Sequence, residues 1–296
     1  SFLVLDGKQR LSAIREFIDG YYADGKVFKL KGLRILTALE NKSWADLQSC
    51  EDWADRLNNE PIRTTVLRGW ENESVLYEIF YRLNSGSVKL SPMELRMSLL
   101  PGDFLKFIIS WTESVGPIHH LLRKRHPDPR MSDVELAIRY LAFRDQQTQY
   151  TGDLKKFLDE FCKNKNIEFI NNPESIGNYQ NLLMEMNEGI VVGLSEFGEQ
   201  YFCRKYSNGK YEARFNRAVF DVLVGALSYN DIREWVLKNP GKMKALYERV
   251  CDDNLDFVKS VETTTKSPEA IRIRFGAWYK LISENSGTRL SIPNVK

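Results

Sequence analysis

The stretch SFLVLDGKQRL (residues 1–11) joins an apolar run to a polar turn and then to the start of a helical pattern. The apolar run over 2–5 predicts a buried strand. The Asp-Gly pair that follows is a turn signal, and the spacing of apolar residues over 8–19 predicts a helix. Because a strand needs neighbours, we expect residues upstream of this sequence to supply them. The apolar face of the predicted helix consists of Leu11, Ile14, Phe17 and Ile18.

Composition limits the class of protein. The chain has 296 residues, is 43% hydrophobic and carries a formal net charge of +2. It can therefore bury a sizeable core, and it has no uniformly basic surface, although a local basic patch remains open. No apolar run approaches the length of a membrane span, and no signal peptide is evident, so we expect a cytoplasmic protein. Four scattered cysteines without metal spacing suit a reducing compartment, and we expect buried thiols: Cys50, Cys162, Cys203 and Cys251.

The sequence divides into a mixed part and a helical part. A hairpin is predicted around the Asp-Gly pair at 24–25, a helix over 44–57 and a β-branched strand over 62–67. The pattern then turns helical and stays so. We therefore predict an α+β fold, with a small mixed-sheet domain over 1–71 and a larger all-helical domain over 72–296. Further helices are predicted at 74–83, 154–164, 174–194, 216–226, 230–238, 242–251, 255–261 and 268–283.

Two helix starts carry capping boxes in the sequence. Ser91 precedes a proline and a glutamate, Glu94, at the positions that a capping box requires. Ser132 and Glu135 repeat the pattern, with Met131 as one member of a hydrophobic staple. The predicted helix that starts there runs to about residue 144.

The turn at residues 6–10 carries the best candidate chemistry. The first amides of a helix point toward its N-terminus, where the helix dipole favours anions. Gly7 lets a phosphate approach the backbone, Arg10 offers a fork of donors and Lys8 adds a point charge. Asp6 could hold a metal ion or orient a water molecule, and Gln9 could position that water or contact a nucleotide. The alternative is an ordinary N-cap turn followed by solvated cations.

Later stretches strengthen the interpretation of this turn. The sequence IFYRLNSG (residues 79–86) is followed by LSPMELR (residues 90–96). Together with VLDGKQRL (residues 4–11), they resemble the signature blocks of the family long called domain of unknown function 262, also described as the N-terminal domain of GmrSD-type restriction endonucleases. The first block resembles that family's Asp-Gly-Gln-Gln-Arg signature, with Lys8 where a glutamine is usual. Further familial stretches are RMSDVEL (130–136), RYLAF (139–143) and RFN (214–216).

The resemblance implies a fold and an activity. It implies that the first part is similar to the ParB/sulfiredoxin fold, and that the turn binds and hydrolyses a nucleoside triphosphate or takes part in DNA cleavage. Many members carry a His-Asn-His nuclease domain downstream, which we do not find. The histidines of this chain are His119, His120 and His126, inside the helical part. We therefore expect a stand-alone form of the family.

The resemblance also extends the candidate nucleotide site. Asp6, Gln9 and Arg10 are the expected catalytic residues, and Gly7 and Lys8 the expected nucleotide ligands. Three further nucleotide ligands are expected beyond the turn, namely Arg82, Asn84 and Arg96. The alternative for Asn84 is a helix C-terminus in left-handed geometry. Glu94 already has a sufficient role as a capping residue.

The densest basic stretch is HHLLRKRH, at residues 119–126. Arg123, Lys124 and Arg125 are candidates for contact with the backbone of DNA. The alternative is a solvated helix end. A zinc site is not expected, because no cysteine or carboxylate is suitably spaced around the histidines. On the last helix, a basic face is predicted to be solvated: Arg272, Arg274 and Lys280.

These observations predict a nucleoside-triphosphate-binding and hydrolysing, DNA-associated effector of a bacterial anti-phage or restriction system. Asp6 would bind Mg²⁺ or Mn²⁺, because a triphosphate needs its charge neutralised. One alternative is a non-catalytic sensor or adaptor that binds modified DNA or a nucleotide and recruits a nuclease. Another is a metal-dependent enzyme that nicks DNA with the same turn. The expected partners are DNA, a nucleotide and a nuclease protein, and homo-oligomers remain open.

Overall fold

The computed structural model describes residues 4, 7–22, 25–69, 75, 79, 91–263 and 265–296, with the backbone alone at Lys8 and Glu51. The chain divides into two compact units, Ser1–Lys89 and Leu90–Lys296. The predicted boundary after residue 71 falls in a segment that lies largely outside the described residues, so it stays a prediction. The fold is α+β with a mostly helical body, as the sequence predicted.

Helices form most of the regular structure described in the first unit. They are α1 (Lys8–Asp19), a 3₁₀ helix (Thr37–Leu39), α2 (Trp44–Gln48) and α3 (Glu51–Asn59).

A small aromatic core holds the first unit together. Phe17 of α1 packs edge-on against Phe28 and Trp44, with ring centroids 5.5 and 5.9 Å apart. Leu47 and Ala54 complete this buried cluster. Edge-on aromatic pairs add a modest stabilisation beyond the area they bury. The helix predicted over 8–19 therefore forms, and its Phe17 side chain packs it against Trp44 of α2.

The rest of the predicted apolar face of α1 is not buried within the described part of the chain. Leu11, Ile14 and Ile18 are 39%, 38% and 41% exposed. Periodicity predicted the helix correctly because spacing fixes which residues share a face. It could not predict how much of that face is covered.

The predicted hairpin near residue 24 forms as a tight turn. Tyr21 and Val27 make an antiparallel bridge. The Tyr22 N–H donates to the Lys26 carbonyl at 2.8 Å, and the Gly25 N–H donates to the Tyr22 carbonyl at 2.9 Å. Asp24 lies outside the described residues, as does most of the predicted strand over 2–5.

Two predictions for the first unit differ from the structure. The helix predicted over 44–57 is broken into α2 and α3, because Cys50 adopts an extended backbone (φ −124°, ψ 90°). The strand predicted over 62–67 does not form: residues 60–69 have no regular structure. β-branched residues favour a strand where a neighbouring strand and a face to pack on are present, and none pairs with this segment among the described residues. The resemblance to a ParB/sulfiredoxin sheet therefore stays a prediction.

Helices dominate the second unit, with one β-hairpin among its described residues. The elements are α4 (Pro92–Leu99), α5 (Asp103–Glu113), α6 (Pro117–Leu121), α7 (Ser132–Arg144), α8 (Leu154–Asn171), α9 (Ser175–Phe197), β1 (Arg204–Ser207), β2 (Lys210–Phe215), α10 (Arg217–Leu227), α11 (Asn230–Lys238), α12 (Lys242–Asp253), α13 (Leu255–Glu262) and α14 (Pro268–Ser286). The helices predicted from 154 onward are confirmed; their ends shift by at most three residues, except that α8 runs seven residues past its predicted end at 164. The predicted helix at 74–83 lies mostly outside the described residues.

The hairpin was not predicted. Ser207 pairs with Lys210 across a two-residue turn in which Asn208 and Gly209 have φ of 49° and 73°. Positive φ at both turn residues is the type I′ geometry that an Asn-Gly pair favours.

One of the two predicted capping boxes is confirmed. The Ser91 N–H donates to the Glu94 carboxylate at 2.6 Å, and the Glu94 N–H donates to the Ser91 hydroxyl at 3.1 Å. At the second site, Ser132 lies inside α7 rather than before it, and its hydroxyl donates to Asp128. Met131 is the residue that precedes the helix, with φ 54°. The prediction of a second capping box is therefore wrong.

A buried ion network joins α7, α10 and α14. Asp221 accepts hydrogen bonds from Arg139 at 2.5 and 2.6 Å and from Arg274 at 3.0 Å. The Arg274 side chain is 0% exposed. Its predicted solvated position is therefore wrong, because its charge has a carboxylate partner inside the core. Burial lowers the pKa of Arg274 to about 10, although Asp221 partly offsets that effect.

The close approach of α9 to α10 depends on a glycine. A Cβ at Gly189 would lie 2.9 Å from the carbonyl carbon and oxygen of Leu227. We expect Gly189→Ala to lower the free energy of unfolding by about 1–3 kcal/mol, because the backbone of α10 must move. Gly177 lies in the same helix with no atom within 4 Å of such a Cβ. Gly177→Ala should instead stabilise by up to about 1 kcal/mol through helix propensity. Urea denaturation of both variants tests the pair, and equal effects would contradict the packing argument.

Candidate functional site

The N-terminus of α1 has the geometry that the turn at 6–10 requires. Gly7 precedes the helix with φ 90°, a left-handed conformation that glycine adopts without strain. Its carbonyl accepts the first helical hydrogen bond, from Leu11 N–H at 2.9 Å. The first turn contains no acidic residue. The positive end of the helix dipole is thus combined with cationic side chains in this sequence, which favours an anion.

Arg10 folds back toward the glycine. A Cβ placed on Gly7 would lie 3.3 Å from Nη2 of Arg10, so the guanidinium occupies the space beside the Gly7 backbone. The side chains of Arg10 and Gln9 are both exposed. The structure thus brings Gly7 and Arg10 together and orients Gln9 toward solvent. Asp6 lies outside the described residues, and of Lys8 only the backbone is described, as the first residue of α1.

The structure bears on one of the three other predicted nucleotide ligands. Arg82 and Asn84 lie outside the described residues. Arg96 is 1% exposed and its Nε lies 2.7 Å from the Asp159 carboxylate. A guanidinium committed to a buried ion pair is not available to a nucleotide in this structure. No sequence pattern indicates this pair, because Asp159 lies on a helix 63 positions away in the chain.

The basic stretch at 119–126 is divided between an anchor and an exposed loop. His119 is 1% exposed; its Nδ1 accepts the Gly116 N–H at 3.0 Å and its Nε2 lies 3.0 Å from the Asp133 carboxylate. The same Asp133 oxygen accepts the Asp128 N–H at 2.9 Å. These bonds join α6, the start of α7 and the connection between them. We call residues 123–130 the basic loop.

The three predicted DNA ligands lie at the start of the basic loop. Arg123, Lys124 and Arg125 are all exposed. Arg123 has φ 56°, and its N–H donates to the His120 carbonyl at 2.9 Å. Sequence reasoning found the cations but missed the anchor, since His119 and Asp133 gave no motif by spacing. The structure therefore places these cations in an exposed loop directly after the end of α6, and their contact with DNA stays a prediction.

In the part of the chain that the structure describes, no cluster of three or more histidine, cysteine or acidic side chains could hold a metal ion. In the same residues, no helix is long and apolar enough to cross a membrane. Cys162, Cys203 and Cys251 are buried, and burial raises the pKa of each thiol. Cys50 is exposed, so the expectation of buried thiols holds for the other three.

Comparison with known proteins found a family match for the first third of the chain. Residues 1–101 match the family model of the GmrSD restriction endonuclease, N-terminal domain. This part of the chain is similar to that domain, as its signature blocks predicted. No curated protein and no solved structure matches the chain. The matched region includes the turn at 6–10 and ends shortly after α4.

The Gly7 geometry leads to a prediction with a close control. Gly7→Ala forces a side chain into a left-handed backbone, which costs about 1–2 kcal/mol, and brings a Cβ to 3.3 Å from the Arg10 guanidinium. Gly20, at the other end of α1, has a similar φ of 89° but no atom within 4 Å of such a Cβ. We expect both variants to lose similar stability, measured by thermal denaturation. If the turn is the predicted nucleotide site, phosphate release should fall in Gly7→Ala alone, and an equal fall in Gly20→Ala would show that strain is the cause.

Proposed function

We propose that this protein is a DNA-associated component of a restriction system that binds and hydrolyses a nucleoside triphosphate at the turn of residues 6–10. The observation that carries the proposal is the left-handed Gly7 with the Arg10 guanidinium beside it, at the N-terminus of α1. The match of residues 1–101 to the N-terminal domain of a restriction endonuclease supports the restriction role and the association with DNA.

The roles of the residues follow from their chemistry. Arg10 holds and polarises the phosphates, because its planar fork matches phosphate oxygens. Lys8 adds charge, and Gly7 lets the phosphate approach the backbone. Gln9 orients the attacking water. Arg82 and Asn84 support the phosphates from the second signature block.

The metal requirement rests on the donor set. Asp6 is the only carboxylate before Glu16 in the sequence. Mg²⁺ is commonly bound by one or two carboxylates together with substrate phosphates, so a single aspartate beside a triphosphate fits this mode. The ion, or Mn²⁺ in its place, supplies neutralisation of the phosphate charge.

The adaptor is the second candidate function, and Lys8 favours it. A lysine stands where the family signature usually has glutamine, and a lysine can strengthen phosphate binding without orienting water. In that case the protein would bind a nucleotide or modified DNA without turnover and recruit a nuclease.

Phosphate release tests these functions directly. The protein is incubated with each of the four nucleoside triphosphates and Mg²⁺, with and without plain or modified DNA. Turnover that requires Mg²⁺ supports the hydrolase. Tight nucleotide binding without turnover contradicts the hydrolase and supports the adaptor. Nicking of a supercoiled plasmid without any nucleotide, lost in Asp6→Ala, would instead establish a nickase.

A further inference from the structure

The basic loop turns its positive charges outward and its single acid inward. Asp128 is 8% exposed and is the only carboxylate within residues 123–130. Burial raises its pKa, but the Ser132 hydroxyl, the Arg130 N–H and the Lys124 charge outweigh that effect, so the pKa is lowered. The acid therefore remains ionised while serving the loop's own hydrogen bonds.

Two cations of the loop are not neutralised. Among the described residues, Arg123 and Arg125 have no carboxylate within 4 Å. Lys124 lies 3.8 Å from Asp128, too far for a direct hydrogen bond. Exposed charges without partners keep their full attraction for an anion, since no existing ion pair must be broken.

Arg204, a buried arginine within electrostatic range of Arg123, adds to this positive charge. Arg204 of β1 is 4% exposed, and its guanidinium donates to the carbonyls of Ala213, Phe202 and Cys203 at 3.2, 3.1 and 3.4 Å. Burial lowers its pKa, and the nearby charge of Arg123 lowers it further. Its charge has no carboxylate partner in the part of the chain that the structure describes, so the local potential stays positive.

Neighbouring cations are partly neutralised and define the edge of this surface. Arg130 lies 3.4 Å from the Glu94 carboxylate, and Arg217 lies 3.9 Å from that of Glu135. Both arginines remain more than 40% exposed. They contribute to the positive electrostatic field of this surface, but less strongly than Arg123 and Arg125, which have no carboxylate partner among the described residues.

We propose that the basic loop binds the phosphate backbone of duplex DNA. The proposal rests on the DNA association in the proposed function and adds a contact surface on the helical unit, outside the matched domain. Its anchoring by His119, Asp128 and Asp133 holds the cations ready for contact at little further entropic cost. The loop contains no Phe, Tyr or Trp on which unpaired bases would stack, and the one ring it exposes is the small imidazole of His126. That absence favours a duplex over a single strand.

The test measures duplex affinity by fluorescence anisotropy at salt concentrations between about 50 and 200 mM. The variant is Arg123→Ala, Lys124→Ala, Arg125→Ala. Its control is Lys155→Ala, Lys156→Ala, Lys163→Ala, which removes the same charge from exposed positions of α8. We expect the loop variant to bind roughly tenfold or more weakly, with the slope of log Kd against log salt reduced by about two to three. The control should stay within about twofold of the parent protein.

Further measurements separate the outcomes. Circular dichroism and thermal denaturation establish that both variants fold. Arg123→Lys with Arg125→Lys should retain most of the affinity, since phosphate contacts need charge above all. Equal affinity in the loop and control variants would overturn the proposal, and so would stronger binding to RNA or to single strands. If the parent protein does not bind DNA, both this surface and the DNA association fail, while phosphate release still decides the nucleotide half of the proposed function.

Discussion

Asp221→Ala is expected to destabilise the second unit by about 3–5 kcal/mol, the range for removing one partner of a buried ion network. The carboxylate of Asp221 is 0% exposed and accepts hydrogen bonds from both Arg139 and Arg274. Without it, two guanidinium groups would remain in the core with no counter-charge. That loss is a large fraction of the stability of an ordinary domain.

The same network offers a way to separate charge from packing. Asp221→Asn keeps the shape of the side chain but removes its charge, so it should also be strongly destabilising. A control on α14 is Glu284→Ala, which breaks an exposed pair with Lys280 at 3.9 Å. That variant should change stability by no more than about 0.5 kcal/mol. Urea denaturation at neutral pH measures all three. A loss below about 1 kcal/mol for Asp221→Ala would contradict the role assigned to the network.

Local signals predicted the helices well. The helix at Asn230–Lys238 and the start of α4 at Ser91 follow from periodicity and capping, which depend on residues within a few positions of each other. The hairpin could also have been predicted from the sequence. Asn208-Gly209 is a strong turn signal between two short strand-like stretches, but the long helical segments farther out on both sides made a hairpin unexpected.

Long-range pairing explains what the sequence could not predict. Arg274 was expected in solvent and Arg96 at a nucleotide, but both are buried. Arg274 pairs with Asp221 and Arg96 with Asp159, each more than 50 positions away in the chain. A single sequence does not show which acid meets which arginine. The strand expected over 62–67 fails for a similar reason, since a strand is defined by its partner.

The candidate site shows the same division between local and distant information. The turn at Gly7 follows from the Asp-Gly signal, and the helix that begins at Lys8 follows from the apolar spacing over 8–19. The approach of Arg10 to Gly7 is also local, because both belong to one turn. By contrast, the anchor of the basic loop joins His119 to Asp133 across two helices. Spacing identified the charges of that loop but not the contacts that fix them.

Arg10→Ala is expected to lower phosphate release by about 10²–10³-fold, the effect of removing one donor that stabilises developing charge. The Arg10 guanidinium lies beside the Gly7 backbone, where a bound phosphate would approach. Asp6 and Lys8 remain in the variant, so nucleotide binding should weaken less than turnover. Arg10→Lys should recover part of the binding but little of the rate, since an ammonium lacks the planar fork.

A matched arginine on the same helix provides the control for Arg10. Arg15 is 79% exposed and lies 3.6 Å from the Asp19 carboxylate, one helical turn away from the proposed site. Arg15→Ala should leave both kcat and KM unchanged, with at most a small loss of stability. A fall in kcat for Arg10→Ala alone places Arg10 at the transition state, whereas a rise in KM alone places it in ground-state binding. If Arg10→Ala retains full turnover, the hydrolytic site is not at this turn, and the nucleotide half of the proposed function must be abandoned.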